Sequence, residues 1–380
     1  MNMMKTAFLV FMTGFLFSCS SFPKNDPISD LKTLDFRGSH PSKNWIQEHH
    51  EDLEIVSLKY SRPESLVKDM RSLVRLQDRF VILDYDIAQN KDLKLFDLEG
   101  NFIKMVNELE FEFKKHEIET FALWNDNQIL VLDKKNSAFI LNSSLEIEKR
   151  VLLPFKAEKL VVDKDRCYFF TNKNAFDGQN DSTMYEYLVT DRNFNLLKKY
   201  RPFKIEPFTS RVTSSSDHDF TKSEFGVIHL RDSYDTIFNL TEKGLMPLVK
   251  LQFHNIYDPK LLGFEATYDD PRAVWLVANL FNTQDLIYLN YIQGEKFRVG
   301  VYDKKAEQLI VMKGEDLNKD YASVAMPRMH QDGRFYGWFT EEGSSYMTLN
   351  KSNENTLAGK IYKMIKLNTN PVIVSYRLKP

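Results

Sequence analysis

The 380-residue chain carries 51 Lys and Arg against 53 Asp and Glu, a formal charge of −2. That balance argues against a nucleic-acid-binding surface, which shows a basic excess. Two cysteines leave no room for a disulfide framework, so the fold must rest on its apolar core, for which 29 Phe and 17 Tyr are ample material.

The first five residues hold one positive charge, at Lys5, and "TAFLVFMTGFLF" (6–17) holds none. This run is too short for a bilayer-spanning helix, which needs ~20 apolar residues. A short cationic head, an apolar core and a small-residue break read as a secretory signal. The break, Leu16-Phe17-Ser18-Cys19, resembles the lipobox of bacterial lipoproteins. The resemblance implies cleavage before Cys19, a diacylglyceryl chain on its sulfur and an acylated amine. Two or more acyl chains give stable anchoring where one is marginal. An ordinary signal peptide or a buried helix is the alternative reading. Ser20-Ser21 lacks the Asp found beside the cysteine of inner-membrane lipoproteins, and no acidic run follows. The implied place is therefore the outer membrane, on its periplasmic side.

Residues 20–52 are polar, with three prolines, and read as a flexible tether with a short helix over Trp45–Asp52. His49 and His50 are adjacent and do not share a helix face, so they make a poor metal pair. From Leu53 the pattern becomes strand-like. "LEIVSLKY" alternates, and Ser72 to Val106 holds four strand-like pieces joined by polar turns. The unit recurs from Thr120 to Leu153, where "ILVLD" repeats "FVILD" and "AFILN" repeats "LKLFD". A third copy runs from Lys159 to Tyr200, a fourth begins at Phe225, a fifth at Ala273 and a sixth at Pro327. A spacing of ~50 residues with four strands per unit is the signature of propeller blades. The reading is all-β: residues 1–18 a signal peptide, 19–52 the lipidated cysteine and tether, and 53–380 a six-bladed β-propeller. A helix is expected over "NENTLAGKIYKMIKL". The final strand "NPVIVSYRLKP" is expected to pair with "LEIVSLKY" and close the ring, which spares both an open edge.

"FVILD…LKLFDLEGNFIK" is similar to the NHL-type propeller pattern. The order of the lipobox, "EIVSLKY", "VTDRNFNLLKKY", "SYDTIFNL", "VGVYDKKAEQ" and "NPVIVSYRLK" resembles the six-bladed β-propeller lipoproteins of Bacteroidetes. The resemblance implies a fold and an envelope location, with no catalytic motif to carry over.

The chemistry-bearing residues are dispersed. There is no G-x-S-x-G, phosphate-cradling loop or H-E-x-x-H. No catalytic residue, metal site or cofactor is assigned. Asp84 and Asp133 end equivalent strands, which points to a structural role in binding local backbone N–H groups. "DYDIAQNKD" (84–92) lacks the Gly and distal Glu of a calcium loop. His218 lies between carboxylates in "SSSDHDF", which reads as a solvated loop. Cys167, in the apolar "DRCYFF", reads as a buried free thiol. Tyr268, Asp269, Asp270, Arg272 and Trp275 are dense enough to line a polar ligand site, with an ordinary blade connection as the alternative. Asp181-Ser182-Thr183 resembles the O-glycosylation site of Bacteroidetes, which makes Ser182 a candidate; Asp235-Thr236-Ile237 is a second match in a strand-like run. The expected partners are the membrane through the lipid anchor, and envelope proteins or glycans. The functional reading is a non-catalytic binding or scaffold propeller. The alternative is a glycan- or peptide-processing enzyme, which would need facing carboxylates.

Overall fold

A computed structural model describes residues 31–37, 40–41, 45–85, 90–171, 184–203, 220–230, 235–241, 243–256, 271–294, 296–313, 327–340 and 357–379. An N-terminal segment, β1 (Thr33–Asp35), β2 (His40–Pro41), α1 (Trp45–His49) and β3 (His50–Ser57), precedes the repeats. Blade 1 is β4 (Asp69–Leu76), β5 (Arg79–Tyr85), β6 (Lys91–Asp97) and β7 (Phe102–Val106). Blade 2 is β8 (Glu108–Phe111), β9 (Lys114–Asn125), β10 (Gln128–Asp133), β11 (Ser137–Asn142) and β12 (Ile147–Leu152). Blade 3 is β13 (Lys159–Asp163), β14 (Arg166–Phe170), β15 (Met184–Asp191) and β16 (Leu196–Phe203). Blade 4 is β17 (Phe220–Ser223), β18 (Gly226–Leu230), β19 (Thr236–Thr241) and β20 (Gly244–Gln252). Blade 5 is β21 (Asn255–Ile256), β22 (Ala273–Asn282), β23 (Leu286–Gln293), β24 (Lys296–Asp303) and β25 (Gln308–Lys313). Blade 6 is β26 (Met329–Gln331), β27 (Arg334–Phe339) and β28 (Val372–Leu378), with α2 (Leu357–Asn368) in the connection before β28. The result is an all-β, six-bladed propeller.

The strands are buried on both faces because each sheet packs between two others. "FVIL" in β5 and "ILVLD" in β10 are buried without alternation. The apolar side chains gather into six clusters, one at each seam between neighbouring blades. In blades 2 and 3 the turn before the outer strand uses one device: a side-chain oxygen accepts from backbone N–H groups two and four residues on. Asn142 Oδ1 takes Ser144 and Glu146, and Asp191 Oδ1 takes Asn193 and Asn195, at 2.8–3.0 Å.

The ring closes as the chain ends foretell. β28 pairs antiparallel with β3, Val372 opposite Ser57 and Leu378 opposite His50. Arg334 fastens this blade across its width: the buried guanidinium donates to the Asp52 carbonyl (2.6 Å) and to Ser375 Oγ (3.0 Å). The blade then locks to its neighbour. The Gln331 amide exchanges two hydrogen bonds with the Arg75 backbone (3.0 and 2.7 Å), and Trp338 Nε1 donates to the Met70 carbonyl (2.7 Å). Gly100, at φ +81°, admits the blade 6 chain; a Cβ there would stand 2.1 Å from the Ser57 carbonyl oxygen.

The tether expected up to residue 52 needs correction. β1 adds in parallel to β20, Leu34 opposite Leu251, and β2 adds in parallel to β25. Leu34, Phe36, Trp45 and Ile46 are buried. Phe36 stacks on Phe253 (4.5 Å between centroids) and meets the edge of Tyr291 (5.3 Å), in a slot left open by Gly300, where a Cβ would come within 2.7 Å of the ring. The segment from Thr33 onward therefore clasps blades 4 and 5 before it supplies the outer strand of blade 6, and that strand starts at His50 rather than Leu53.

Candidate functional site

The repeated aspartates hold the fold. Asp84 is buried at the end of β5. Its Oδ1 accepts from the N–H groups of Lys68 and Asp69 (2.9 and 2.8 Å), and its Oδ2 from Lys94 Nζ (2.7 Å), which also donates to the Leu66 carbonyl. Asp133 caps its own turn through the N–H groups of Lys135 and Ser137 (3.0 and 2.7 Å) and accepts from His116 Nδ1 (2.8 Å). Asp133 thus acts locally, as the sequence suggests. Asp84 instead ties β5 to the connection leading into its blade, so the carboxylate that opens "DYDIAQNKD" is committed to backbone and lysine.

The same end of blade 1 holds a second polar group, partly open to solvent. Asp69 and Arg71 lie two apart on β4, Tyr85 ends β5, Lys91 begins β6 and Glu119 lies on β9 of blade 2. Antiparallel pairing sets Asp69 opposite Tyr85 and Tyr85 opposite Lys91, which brings the three blade 1 strands to one point. The Arg71 guanidinium lies 5.3 Å and the Lys91 ammonium 5.0 Å from the Tyr85 ring centroid. Arg71 pairs with Asp69 (2.6 Å), both about half exposed. Lys91 donates to the Glu119 carboxylate and carbonyl, each at 2.8 Å, and is mostly buried. Burial disfavours the Lys91 charge, but Glu119 and Tyr85 outweigh it and hold the pKa above its ordinary value. A lysine so held is a fixed cation at neutral pH, suited to binding and unsuited to nucleophilic attack. Sequence reading missed this group, because its five members span fifty residues and share no spacing motif.

Other titratable groups are shifted by burial or committed to the backbone. Burial raises the Cys167 thiol to about 12, which agrees with a structural thiol. Burial lowers His330 to about 4. His49 Nδ1 and His50 Nδ1 contact the carbonyls of Trp45 and Ile46 (2.7 and 3.1 Å), four residues back, so both serve the end of α1. Among the described residues no three His, Cys, Asp or Glu groups are placed to hold a metal ion. A shallow cleft of about 430 Å³ lies between two turns of blade 2. It is lined by the amides of Asn125, Asn127, Gln128 and Asn142, by Ser143 and by the carboxylates Asp126 and Glu148, with Asn125 bonded to Gln128.

Of the site expected near residue 270, Arg272 is exposed just before β22; its carbonyl accepts from Gln293 Nε2 (3.2 Å). Trp275 lies on β22. Tyr268, Asp269, Asp270, Cys19, Ser182 and His218 lie outside the described residues. Thr236 is half-buried in β19.

Residues 29–332 match the family model DUF5128, described as a 6-bladed beta-propeller. Among solved structures, a "Putative exported protein" of Bacteroides fragilis superposes with a TM-score of 0.63 at 16% identity, over 87% of this chain and 98% of that one. BamB of Moraxella catarrhalis gives a TM-score of 0.37 at 9% identity, over 70% and 67% of the two chains. Glutaminyl cyclase of Myxococcus xanthus gives 0.34 at 8%, over 66% and 97%. The first shows the fold; the other two carry no argument. Among curated proteins no match was found.

Proposed function

Because the chain belongs to this six-bladed β-propeller family, we propose that it is an exported, envelope-anchored binding or scaffold protein without catalytic activity. The description of the Bacteroides fragilis protein as exported supports the location. In this reading Cys19 carries the lipid, and the anchored protein faces the periplasm from the outer membrane. The observation that carries the binding role is the Arg71–Tyr85–Lys91 group. It sets two permanent cations on one aromatic ring and two carboxylates beside them, with Arg71 and Asp69 half open to solvent. Such a group offers donors and acceptors to hydroxyls and carboxylates, and so suits a glycan better than an apolar ligand. Ser182 is retained as a proposed O-glycosylation site.

The test is a titration of envelope polysaccharide fragments into the purified protein, with products followed by mass spectrometry. Binding that falls at least tenfold in Arg71→Ala, with unchanged melting and intact ligand, is the expected result. Equal binding by the variant would reject the site, and cleaved ligand would reject the non-catalytic role. The anchor is tested separately. Cys19→Ala should leave the detergent phase, and unchanged partitioning would refute lipidation.

A further inference from the structure

The β8–β9 hairpin turns at Glu112-Phe113, both in the left-handed region at φ 51° and 62°. A two-residue turn of this kind suits Asn-Gly or Asp-Gly, and a glutamate and a phenylalanine are strained there. Phe113 is also fully exposed, so its burial does not offset the strain. The hairpin beneath it is nonetheless braced. Leu109 is buried, and Lys115 pairs with Glu108 (2.6 Å). His116 Nδ1 meets Asp133 (2.8 Å), Lys134 pairs with Glu117 (2.6 Å), and the Arg150 guanidinium lies 5.6 Å from the Phe111 ring centroid. A strained residue held in place by its surroundings, with no packing to justify it, points to a function. β9 indicates which one. It runs from the hairpin turn to Glu119, the carboxylate that accepts from Lys91, so one strand carries both the exposed ring and a member of the polar group at the end of blade 1. Phe113 stands six residues before Glu119. At ~3.4 Å per residue, that is a reach of at most roughly 20 Å.

We propose that Phe113 is the platform for a distal sugar of the glycan bound at the Arg71–Tyr85–Lys91 group, so that the protein selects long chains over short ones. This rests on the glycan reading of that group and adds to it the length of the ligand. The surroundings of the ring decide the occupant. Glu110, Glu112, Lys114 and Lys115 are all exposed beside it. The two glutamates oppose contact with an anionic bilayer. One ring among four charged side chains also lacks the contiguous apolar area that a protein partner needs. A sugar needs neither. Its C–H face packs on a single ring, and its hydroxyls find donors and acceptors in the side chains alongside. One such contact is worth about tenfold in affinity. The braced hairpin keeps that gain, because no loop has to be ordered when the chain arrives.

The experiment partly hydrolyses envelope polysaccharide and separates disaccharides from octasaccharides and longer chains. Each pool is titrated into the purified protein by calorimetry. The wild type should bind the long pool about tenfold more tightly than the short one. Phe113→Ala should abolish that preference, with the affinity for disaccharides unchanged and the melting temperature not lowered. Phe113→Trp should keep the preference, and its emission should change with the long pool alone. Arg71→Ala should weaken both pools alike. No length preference in the wild type, or a preference that survives Phe113→Ala, would overturn the proposal. So would self-association of the wild type that Phe113→Ala removes while both affinities stay the same, which would assign the ring to a second copy of the chain. If neither pool binds, the reading of the polar group falls and this one falls with it. If Arg71→Ala leaves both affinities unchanged, the reading of the polar group fails, and a length preference lost in Phe113→Ala then upholds the hairpin contact alone.

Discussion

Blades 1 to 3 and blades 4 to 6 are built from the same four-strand unit but finished differently. Blades 1 to 3 are each made from one continuous stretch, and among the described residues no strand pairs beyond their outer strands β7, β12 and β16. Blades 4 and 5 carry β1 and β2 on their outer edges, and blade 6 borrows its outer strand from the N-terminal segment. The bare edges are guarded by charge: Glu148 and Lys149 are exposed on β12, as are Lys198 and Lys199 on β16. Exposed charges on an edge strand deter pairing with another chain. The covered edges rely on the segment that lies over them. One half of the ring is thus locally self-sufficient, while the other depends on contacts made across the whole chain.

The largest effect follows from removing the strand that joins the two ends. A chain ending at Thr369 lacks β28, leaves β3 and β27 without their shared neighbour, and is expected to aggregate or to lose its cooperative melting transition. A truncated protein that melts like the full chain would show that blade 6 is not what closes the ring.

The self-sufficient half contains a fully buried ion pair, Asp84 with Lys94. Asp84→Ala strands the Lys94 ammonium in the interior and should cost about 3–5 kcal/mol in denaturant titration. A loss below 1 kcal/mol would mean that blade 1 does not depend on its own buried pair.

The borrowed half should instead respond to acid through His330, at the inner strand of blade 6. Burial holds its folded pKa at about 4, below the ordinary value of 6.5. The folded state therefore binds fewer protons than the unfolded chain between these values, and stability present above pH 6.5 is lost as pH falls toward 4. The loss is on the order of 2–3 kcal/mol. Melting curves of wild type and His330→Gln should converge as pH falls through this window; parallel curves would remove His330 as the cause.

The smallest effect has the opposite sign. The β8–β9 turn puts Glu112 and Phe113 at φ 51° and 62°, a conformation that favours Asn and Gly, and leaves Phe113 fully exposed. Glu112→Asn/Phe113→Gly should stabilise the protein by about 1 kcal/mol, visible as a small rise in melting temperature. A fall would show that the hairpin makes contacts beyond its own turn.

The same division explains what could be read from sequence. Each blade announces itself because its strands are consecutive and buried on both faces, as in "FVILD" and "ILVLD". The closure was legible because two strand-like segments stood at opposite ends without local partners. The clasp was not. Thr33–Asp35 and His40–Pro41 are too short to show a period, and a parallel edge addition leaves no hairpin signal nearby. The available signal was four apolar residues, Leu34, Phe36, Trp45 and Ile46, set in a polar stretch. The binding group was hidden for a related reason: register brings Asp69, Tyr85 and Lys91 together, and register is invisible until the strands are paired.

The central claim is that the N-terminal segment is part of the propeller and not a leash. Hydrogen exchange of the native protein, followed by mass spectrometry of peptides spanning 33–37 and 198–203, tests it most directly. The Phe36 amide donates to the Gln252 carbonyl at 2.9 Å beneath a buried ring. It should exchange far more slowly than an open chain, and Phe36→Ala should speed exchange at 33–37 while leaving blade 3 unchanged. Exchange of 33–37 within seconds in the wild type would contradict the account and return the segment to a tether.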